Sequence, residues 1–234
     1  MQKDKLISNL KQVQDNIKKA AAAADRDYKE VKLLTVSKNQ DIEAIKVLNE
    51  AGVSFFGENR VQELEEKNNK LISDNIDLDW HFIGHLQRNK VKYLMRMENC
   101  KMIESIDSLR LAKEVNKRAG KNKREIPVLI EINIAGDENK FGITPNRAEE
   151  FLRKIIKLDN LKVEGLMTVL PYLDDTEKLR SYFKQMKNLF DQLSNNVVQL
   201  KELSMGMTND YQIAVEEGAT IVRVGTAIFG EREY

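Results

Sequence analysis

The sequence contains one cysteine, three prolines and no long hydrophobic run. Cys100 alone cannot form a disulfide within the chain, which is typical of proteins of the reducing cytoplasm. The polar start, residues 1–5, is unlike the apolar stretch of a secretion signal. Since no segment approaches the ~20 apolar residues that a membrane-spanning helix needs, we expect a cytoplasmic protein that does not insert into membranes.

An excess of charge of one sign is also missing. The chain has 38 Lys and Arg against 37 Asp and Glu, a formal net charge of +1. This balance gives no field that would favour nucleic acid or an anionic membrane surface, and a small neutral or anionic ligand fits better. With 41% apolar residues, the 234 residues suit one domain spanning 1–234, because barrels of roughly 250 residues form a single core.

Short apolar runs rich in Val, Ile and Phe alternate with longer stretches of helical periodicity. The predicted strands are 32–37, 54–57, 80–84, 102–106, 128–133, 163–169, 202–205 and 220–224. The predicted helices are 41–51, 60–73, 86–97, 108–119, 145–158, 175–194 and 209–217, with an extra helix at 3–24 and none after the last strand. Eight such units favour a (β/α)8 barrel, although six-stranded doubly wound sheets share the alternation.

Two helix starts carry local signals. Thr144 followed by Pro145 is a cap and first-turn pair, because proline pre-sets the helical φ. Asn59 with Gln62 resembles a capping pair.

Lys38 follows the apolar run of residues 33–37, at the end of the first predicted strand. In a barrel the reacting groups stand where strands end and βα loops begin. Desolvation there lowers the pKa of an amine and favours the neutral nucleophile that condenses with an aldehyde. The alternative is a solvated lysine that begins the next loop.

The seventh and eighth predicted strands run into residues 204–208 and 223–227, which combine glycines with hydroxyl side chains. Barrels often bind phosphate in these two loops, where small residues let backbone N–H groups approach the oxygens. Ser204, Gly206, Gly225 and Thr226 are therefore candidate phosphate-binding residues. Each glycine alone would serve equally well in an ordinary turn.

Arg223 interrupts the apolar last strand, which places a permanently charged donor toward a ligand or the barrel mouth, unless it forms a buried pair. His81 and His85 are four residues apart, but Gly84 lies between them and no third ligand pattern accompanies them, so we predict no metal site. His81 is instead predicted to be a hydrogen-bonded barrel residue. Asn59 either reaches the ligand or caps the next helix, and Glu131 is expected to point into the barrel.

Six segments in this order resemble the pyridoxal phosphate homeostasis protein family, single-domain relatives of the alanine racemase barrel. They are LTVSK at 34–38, FGENRVQE at 56–63, WHFIGHLQ at 80–87, GLMT at 165–168, SMGMT at 204–208 and VRVGTAIFG at 222–230. The resemblance implies that Lys38 carries pyridoxal 5'-phosphate (PLP) as a Schiff base, that Ser204, Gly225 and Thr226 hold the phosphate, and that Arg223 faces the pyridine nitrogen. The chain departs from the family pattern at two positions. Arg60 stands where many members have an aromatic residue, and Thr208 stands where serine is common.

The resemblance implies a carrier that buffers PLP rather than an established enzyme. Racemisation needs a base on each face of the substrate, the lysine on one and commonly a tyrosine from a partner's second domain on the other. Only residues 230–234 follow the segment that contains the last predicted strand, so we expect no second domain to supply that tyrosine. We expect a monomer that binds PLP, that can also contact amino acids, and that contacts PLP enzymes transiently. The alternatives are a PLP-dependent racemase or lyase that uses Tyr172, Tyr211 or the His81 region, and a phosphosugar barrel enzyme without a cofactor.

Overall fold

Eight parallel strands close into a barrel in chain order, in a computed structural model that describes residues 3–230. The strands are β1 Lys32–Val36, β2 Phe55–Glu58, β3 Asp79–Phe82, β4 Cys100–Ile106, β5 Ile126–Glu131, β6 Leu161–Met167, β7 Glu202–Ser204 and β8 Ile221–Val224. β8 pairs with β1 and places Arg223 opposite Leu34, which completes the ring. The predicted (β/α)8 barrel is confirmed.

Helices follow the strands and cover the outside of the barrel. They are α1 Lys3–Ala23, α2 Ile42–Glu50, α3 Val61–Ser73, α4 Val91–Leu94, α5 Leu109–Lys121, α6 Pro145–Ile155, α7 Thr176–Asn196, α8 Tyr211–Glu216 and α9 Thr226–Phe229. Short 3-10 turns occur at Tyr28–Glu30 and Arg88–Lys90. None of the helices within residues 3–230 combines the length and apolar character that crossing a membrane requires.

The extra N-terminal helix forms as predicted because its apolar residues recur at helical spacing. Leu6, Leu10, Val13 and Ile17 are buried on one stripe of α1. This stripe packs α1 beside α8, α9 and α2, on the outside of the barrel.

Three local predictions were wrong. The helix expected at 86–97 consists of the 3-10 turn and the four-residue α4, and a short helix, α9, does follow the last strand. The cap of α3 is Arg60, with no side-chain hydrogen bond, rather than the Asn59–Gln62 pair. Thr144 and Pro145 do begin α6 as predicted.

Part of the barrel interior is packed with five apolar side chains contributed by different strands. These are Leu34, Met102, Leu129, Met167 and Ile221, and they form a cluster separate from the larger core between barrel and helices. Burying each of them stabilises the fold by about 1.5–3 kcal/mol. Since side chains alternate along a strand, residues 36 and 38 face the same interior as Leu34, and Ser37 faces the helices.

Candidate functional site

One cavity of about 210 Å³ opens at the mouth of the barrel. Four of the residues predicted from the sequence line it: Lys38, Arg223, Gly225 and Thr226. The loop between β7 and α8 adds residues 207–210, and the loop between β6 and α7 adds residues 170–173. The structure thus brings an amine, a guanidinium and a glycine-hydroxyl turn together from opposite ends of the chain.

Arg223 is held in place by a buried hydrogen-bond network. Its Nη1 donates to Ser204 Oγ at 2.6 Å, and its Nη2 donates to the carbonyl oxygen of Thr168 at 2.7 Å. Ser204 Oγ in turn donates to Glu104 Oε2 at 2.6 Å, and the other oxygen of Glu104 lies 2.6 Å from His81 Nδ1. Only two of the five guanidinium donors are used in these bonds, so Arg223 can also bind a ligand in the cavity that it lines.

The charges of this network balance one another in a dry environment. Burial raises the pKa of Glu104, but the hydrogen bond to His81 and the charge of Arg223 outweigh it, and the net pKa lies below the usual value. Burial likewise lowers the pKa of Arg223, against the opposing charges of Glu104, Asp210 and Glu131. A guanidinium stays protonated in proteins, so Ser204 links a positive charge to the Glu104 carboxylate, whose direct contact is with His81.

The turn after β8 presents backbone N–H groups to the cavity. Gly225 is the N-cap of α9, and Thr226 is its first residue. The N–H groups of Ile228 and Phe229 donate to the carbonyl of Gly225, and that of Ala227 donates to Thr208 Oγ1, which leaves the N–H groups of Gly225 and Thr226 for an anion. A Cβ at position 225 would lie 3.0 Å from the carbonyl oxygen of Val36, which explains why a glycine stands at this close approach to β1.

The loop after β7 completes the anion-binding end. Gly206 has a φ of +92°, and a Cβ there would lie 2.5 Å from Ala214 Cβ, so only glycine allows this turn. Asp210 Oδ1 accepts the N–H of Met207 at 2.6 Å and closes the loop. Thr208 Oγ1, which accepts the N–H of Ala227 at 3.3 Å, therefore lies beside the first turn of α9.

The two hydroxyls of this loop have different surroundings, a difference that the sequence analysis missed. Ser204, the predicted phosphate contact, is fully buried, is not among the cavity-lining residues, and is bonded to Glu104 and Arg223. Thr208, four residues later, lines the cavity. The glycine at 206 is the signal that could have identified Thr208. A turn at this glycine separates the buried Ser204 from the residues that follow it, which line the cavity.

Asn59 and Gly206 also lie behind the cavity wall rather than on it. The main chain of Asn59 packs against Gly84, where a Cβ would lie 2.2 Å from the Asn59 carbonyl oxygen. His81 is the hydrogen-bonded barrel residue that was predicted. Within residues 3–230, no group of three or more His, Cys, Asp and Glu side chains is arranged to hold a metal ion.

The three candidates for an additional acid or base, Tyr172, Tyr211 and His81, lie in different parts of the structure. Tyr172 lines the cavity but is 76% exposed. Tyr211 is buried, and its hydroxyl accepts a hydrogen bond at 3.0 Å from Asn16 on the outer helix α1. His81 is enclosed in the network with Glu104. Of these three, only Tyr172 lines the cavity.

Glu131 faces the barrel interior, as predicted, and is buried at the end of β5. Burial, reinforced by the charge of Asp107, raises its pKa from 4.5 to about 7, against the opposing charges of Arg223 and Lys140. An acid whose pKa is raised by folding binds its proton more tightly in the folded state. The protein is therefore more stable below pH 4.5 than above pH 7 as far as this residue is concerned.

This gives a prediction for the variant Glu131→Gln, which cannot ionise. The free energy of unfolding of the variant, relative to the unmodified protein, should rise by up to about 3 kcal/mol as the pH increases from 4.5 to above 7. Urea denaturation across this range measures it. Glu66→Gln, on the exposed surface of α3, is the control, and an equal pH dependence for both variants would show that Glu131 ionises normally.

The fold and this site define the barrel domain of alanine racemase: the family model described as "Alanine racemase, N-terminal domain" matches residues 8–233. A pyridoxal phosphate homeostasis protein of Aquifex aeolicus is 46% identical over 226 residues, covering 96% of this chain and 97% of the relative. The protein of that name from Homo sapiens is 38% identical over 237 residues, covering 96% and 86%. The chain belongs to the pyridoxal phosphate homeostasis protein family.

A solved structure of a relative adds a ligand to the comparison. PipY of Synechococcus elongatus, solved with PLP bound, superimposes with a TM-score of 0.79 at 34% identity, covering 92% of this chain and 100% of the other. Alanine racemase of Clostridium difficile superimposes with a TM-score of 0.77 at 19% identity, covering 99% of this chain and 60% of the other, and shows the shared fold.

Proposed function

We propose that this protein binds PLP in the cavity at the barrel mouth, carries it as a Schiff base on Lys38, and serves PLP homeostasis without catalytic turnover. The observation that carries the proposal is the position of Lys38, Arg223 and the Gly225–Thr226 turn around one cavity. The family membership and the PLP-bound PipY relative support the same ligand.

The residues present fit the chemistry of PLP. An amine is needed for its aldehyde, and Lys38 supplies it from the cavity wall. An anion-binding turn is needed for its phosphate, and the N–H groups at Gly225 and Thr226 supply it together with the hydroxyls of Thr208 and Thr226. The remaining requirement is a partner for the pyridine nitrogen.

Arg223 meets that requirement in a way that makes PLP a weaker electron sink. A guanidinium donates a hydrogen bond but has no proton to give up easily, so the ring nitrogen that it binds stays unprotonated. When bound, PLP supplies an electron sink for amino groups attached to it, and an unprotonated ring is the weaker sink. The network through Ser204 and Glu104 holds Arg223 in this role.

Ser204 and Gly206 are proposed to support the residues that contact the ligand. Ser204 orients Arg223, and Gly206 provides the turn that brings Thr208 to the cavity. Asn59 would act through the contact of its main chain with Gly84. We further propose that the chain acts as a single-domain monomer in the cytoplasm. The setting is supported by the single cysteine, Cys100, which cannot form a disulfide within the chain.

The phosphate end of the proposal can be tested with pyridoxal, which has the same aldehyde and ring but no phosphate. Thr208→Val and Thr226→Val each remove one hydroxyl donor, and each should weaken PLP binding by about tenfold while leaving pyridoxal binding unchanged. Equilibrium titration followed by absorbance gives both affinities.

The matched control is Ser204→Ala, whose hydroxyl is engaged with Glu104 and Arg223. It should leave the ratio of PLP affinity to pyridoxal affinity unchanged. If Ser204→Ala lowers this ratio and the two threonine variants do not, the phosphate lies elsewhere and this part of the proposal is wrong.

The alternative, a PLP-dependent racemase or lyase, rests on the position of Tyr172 at the cavity. A hydrogen bond to Asp174 raises the pKa of Tyr172, which keeps its hydroxyl protonated. Conversion of D- to L-alanine by the PLP-loaded protein, lost in Tyr172→Phe, would favour this alternative over the carrier.

A further inference from the structure

A buried ionic cluster lies behind the part of the barrel wall that carries Lys38. It consists of Glu58 at the end of β2 and of Glu63 and Lys67 on α3. Glu58 is fully buried, and Lys67 is 5% exposed. Lys67 Nζ donates to Glu58 Oε1 and Glu63 Oε1, both at 2.7 Å, and to the carbonyl oxygen of Ser37 at 2.6 Å.

The cluster holds the main chain on both sides of Lys38. On one side, Lys67 binds the carbonyl of Ser37, and Ser37 Oγ donates to Glu58 Oε1 at 2.7 Å. On the other side, the N–H of Asn39 donates to the carboxylate of Glu63. The peptide groups before and after Lys38 are thus bound to one set of charges.

The backbone next to Lys38 has a left-handed conformation that the same cluster holds. Asn39 has a φ of +57°, in the left-handed region that side chains other than glycine adopt at an energetic cost. Strained backbone of this kind persists where surrounding contacts over-determine it. The hydrogen bond from Asn39 to Glu63 is such a contact.

Stability alone does not account for the cluster. A buried ion pair contributes little more than well-packed apolar side chains of the same volume would, because both charges lose their hydration. Here one oxygen of Glu58 is also buried without a hydrogen-bond partner among residues 3–230. All three donors of the Lys67 ammonium are used, so Lys67 itself is engaged in holding the chain.

We propose that Glu63 and Lys67, together with Glu58, position Lys38 for bond formation with PLP by fixing its two flanking peptide groups. The inference rests on the proposed function and deepens it, because it assigns a role to charges that do not touch the ligand. A lysine whose main chain is fixed presents its amine to the cavity with fewer orientations to lose on reaction. Loss of the contact to Asn39 should weaken the covalent step and leave the contacts to the phosphate and ring intact.

The test compares two ligands on the variant Glu63→Ala. PLP can react with Lys38, whereas 4'-deoxypyridoxine 5'-phosphate has the same ring and phosphate but no aldehyde. Glu63→Ala should bind PLP about tenfold more weakly, since a charge-assisted hydrogen bond is lost, and should bind the deoxy analogue unchanged. Glu63 is partly exposed, so its replacement leaves the core intact.

Two further variants complete the test. Glu63→Gln keeps an oxygen for the N–H of Asn39 and should restore most of the PLP affinity, while Glu66→Ala, an exposed carboxylate of the same helix, should behave like the unmodified protein. If Glu63→Ala does not fold, Glu63→Asp replaces it, because the shorter carboxylate cannot reach both Lys67 and Asn39.

The outcomes separate this inference from the proposed function. If the unmodified protein binds PLP and the deoxy analogue equally, with no borohydride-reducible adduct, the Schiff base itself is wrong. If the unmodified protein forms the adduct but Glu63→Ala and Glu63→Asp keep full PLP affinity, the positioning role is overturned. An equal loss for both ligands would also overturn it, because that is the result of a general structural effect.

Discussion

Lys38→Ala is expected to abolish the visible absorption band that the protein develops with PLP. Lys38 lines the cavity, and its replacement leaves only the noncovalent contacts of Arg223 and of the Gly225–Thr226 turn. Weak binding of PLP should persist through the phosphate, as an increase in thermal stability at high ligand concentration. Absorbance and thermal denaturation measure the two effects separately.

The control for this experiment is Lys32→Ala, an exposed lysine at the other end of the same strand. It should keep the band and the affinity of the unmodified protein. Persistence of the band in Lys38→Ala, with a reducible adduct on another lysine, would be incompatible with the proposed role of Lys38.

Arg223→Met is expected to destabilise the protein strongly even without PLP. The substitution removes the donors that Ser204 Oγ and the Thr168 carbonyl accept, and it removes the positive charge that Ser204 links to the fully buried Glu104. His81 remains as the direct partner of Glu104, and each buried polar group left unpaired costs about 1–3 kcal/mol. Urea denaturation of the protein without PLP should show this loss. The double variant Arg223→Met with Glu104→Gln should recover part of it, because the uncompensated charge is then removed.

Arg223→Lys is the conservative comparison. It keeps the positive charge near Glu104 but lacks the fork that reaches both Ser204 Oγ and the Thr168 carbonyl. Its loss of stability should be smaller than that of Arg223→Met. If the double variant were no more stable than Arg223→Met alone, the buried charge of Glu104 would not be the cause of the loss.

The barrel and the position of Lys38 could be predicted because both depend on local signals. The alternation of apolar runs with helical periodicity defines the eight units, and a lysine directly after an apolar strand lies at the mouth of any such barrel. Gly225 and Thr226 were found in the same way, from their place after the last strand. The six family segments, among them LTVSK at 34–38, added the roles of these residues.

The parts of the site that could not be predicted depend on contacts between distant residues. The hydrogen bond from Ser204 to Glu104, which brings the Ser204 hydroxyl into the buried network, joins residues 100 positions apart in sequence. The contact between Lys67 and the carbonyl of Ser37 spans 30 positions. α9 was missed because it has only four residues, too few for a helical period to show.

The central claim is that Lys38 carries PLP, and borohydride reduction of the PLP-loaded protein followed by peptide mass analysis tests it most directly. Reduction fixes the cofactor to the lysine that holds it. The account predicts a single adduct, on the peptide that contains Lys38, and loss of the visible band. An adduct on Lys67 or Lys140, or a colourless protein that cannot be loaded with PLP, would contradict it.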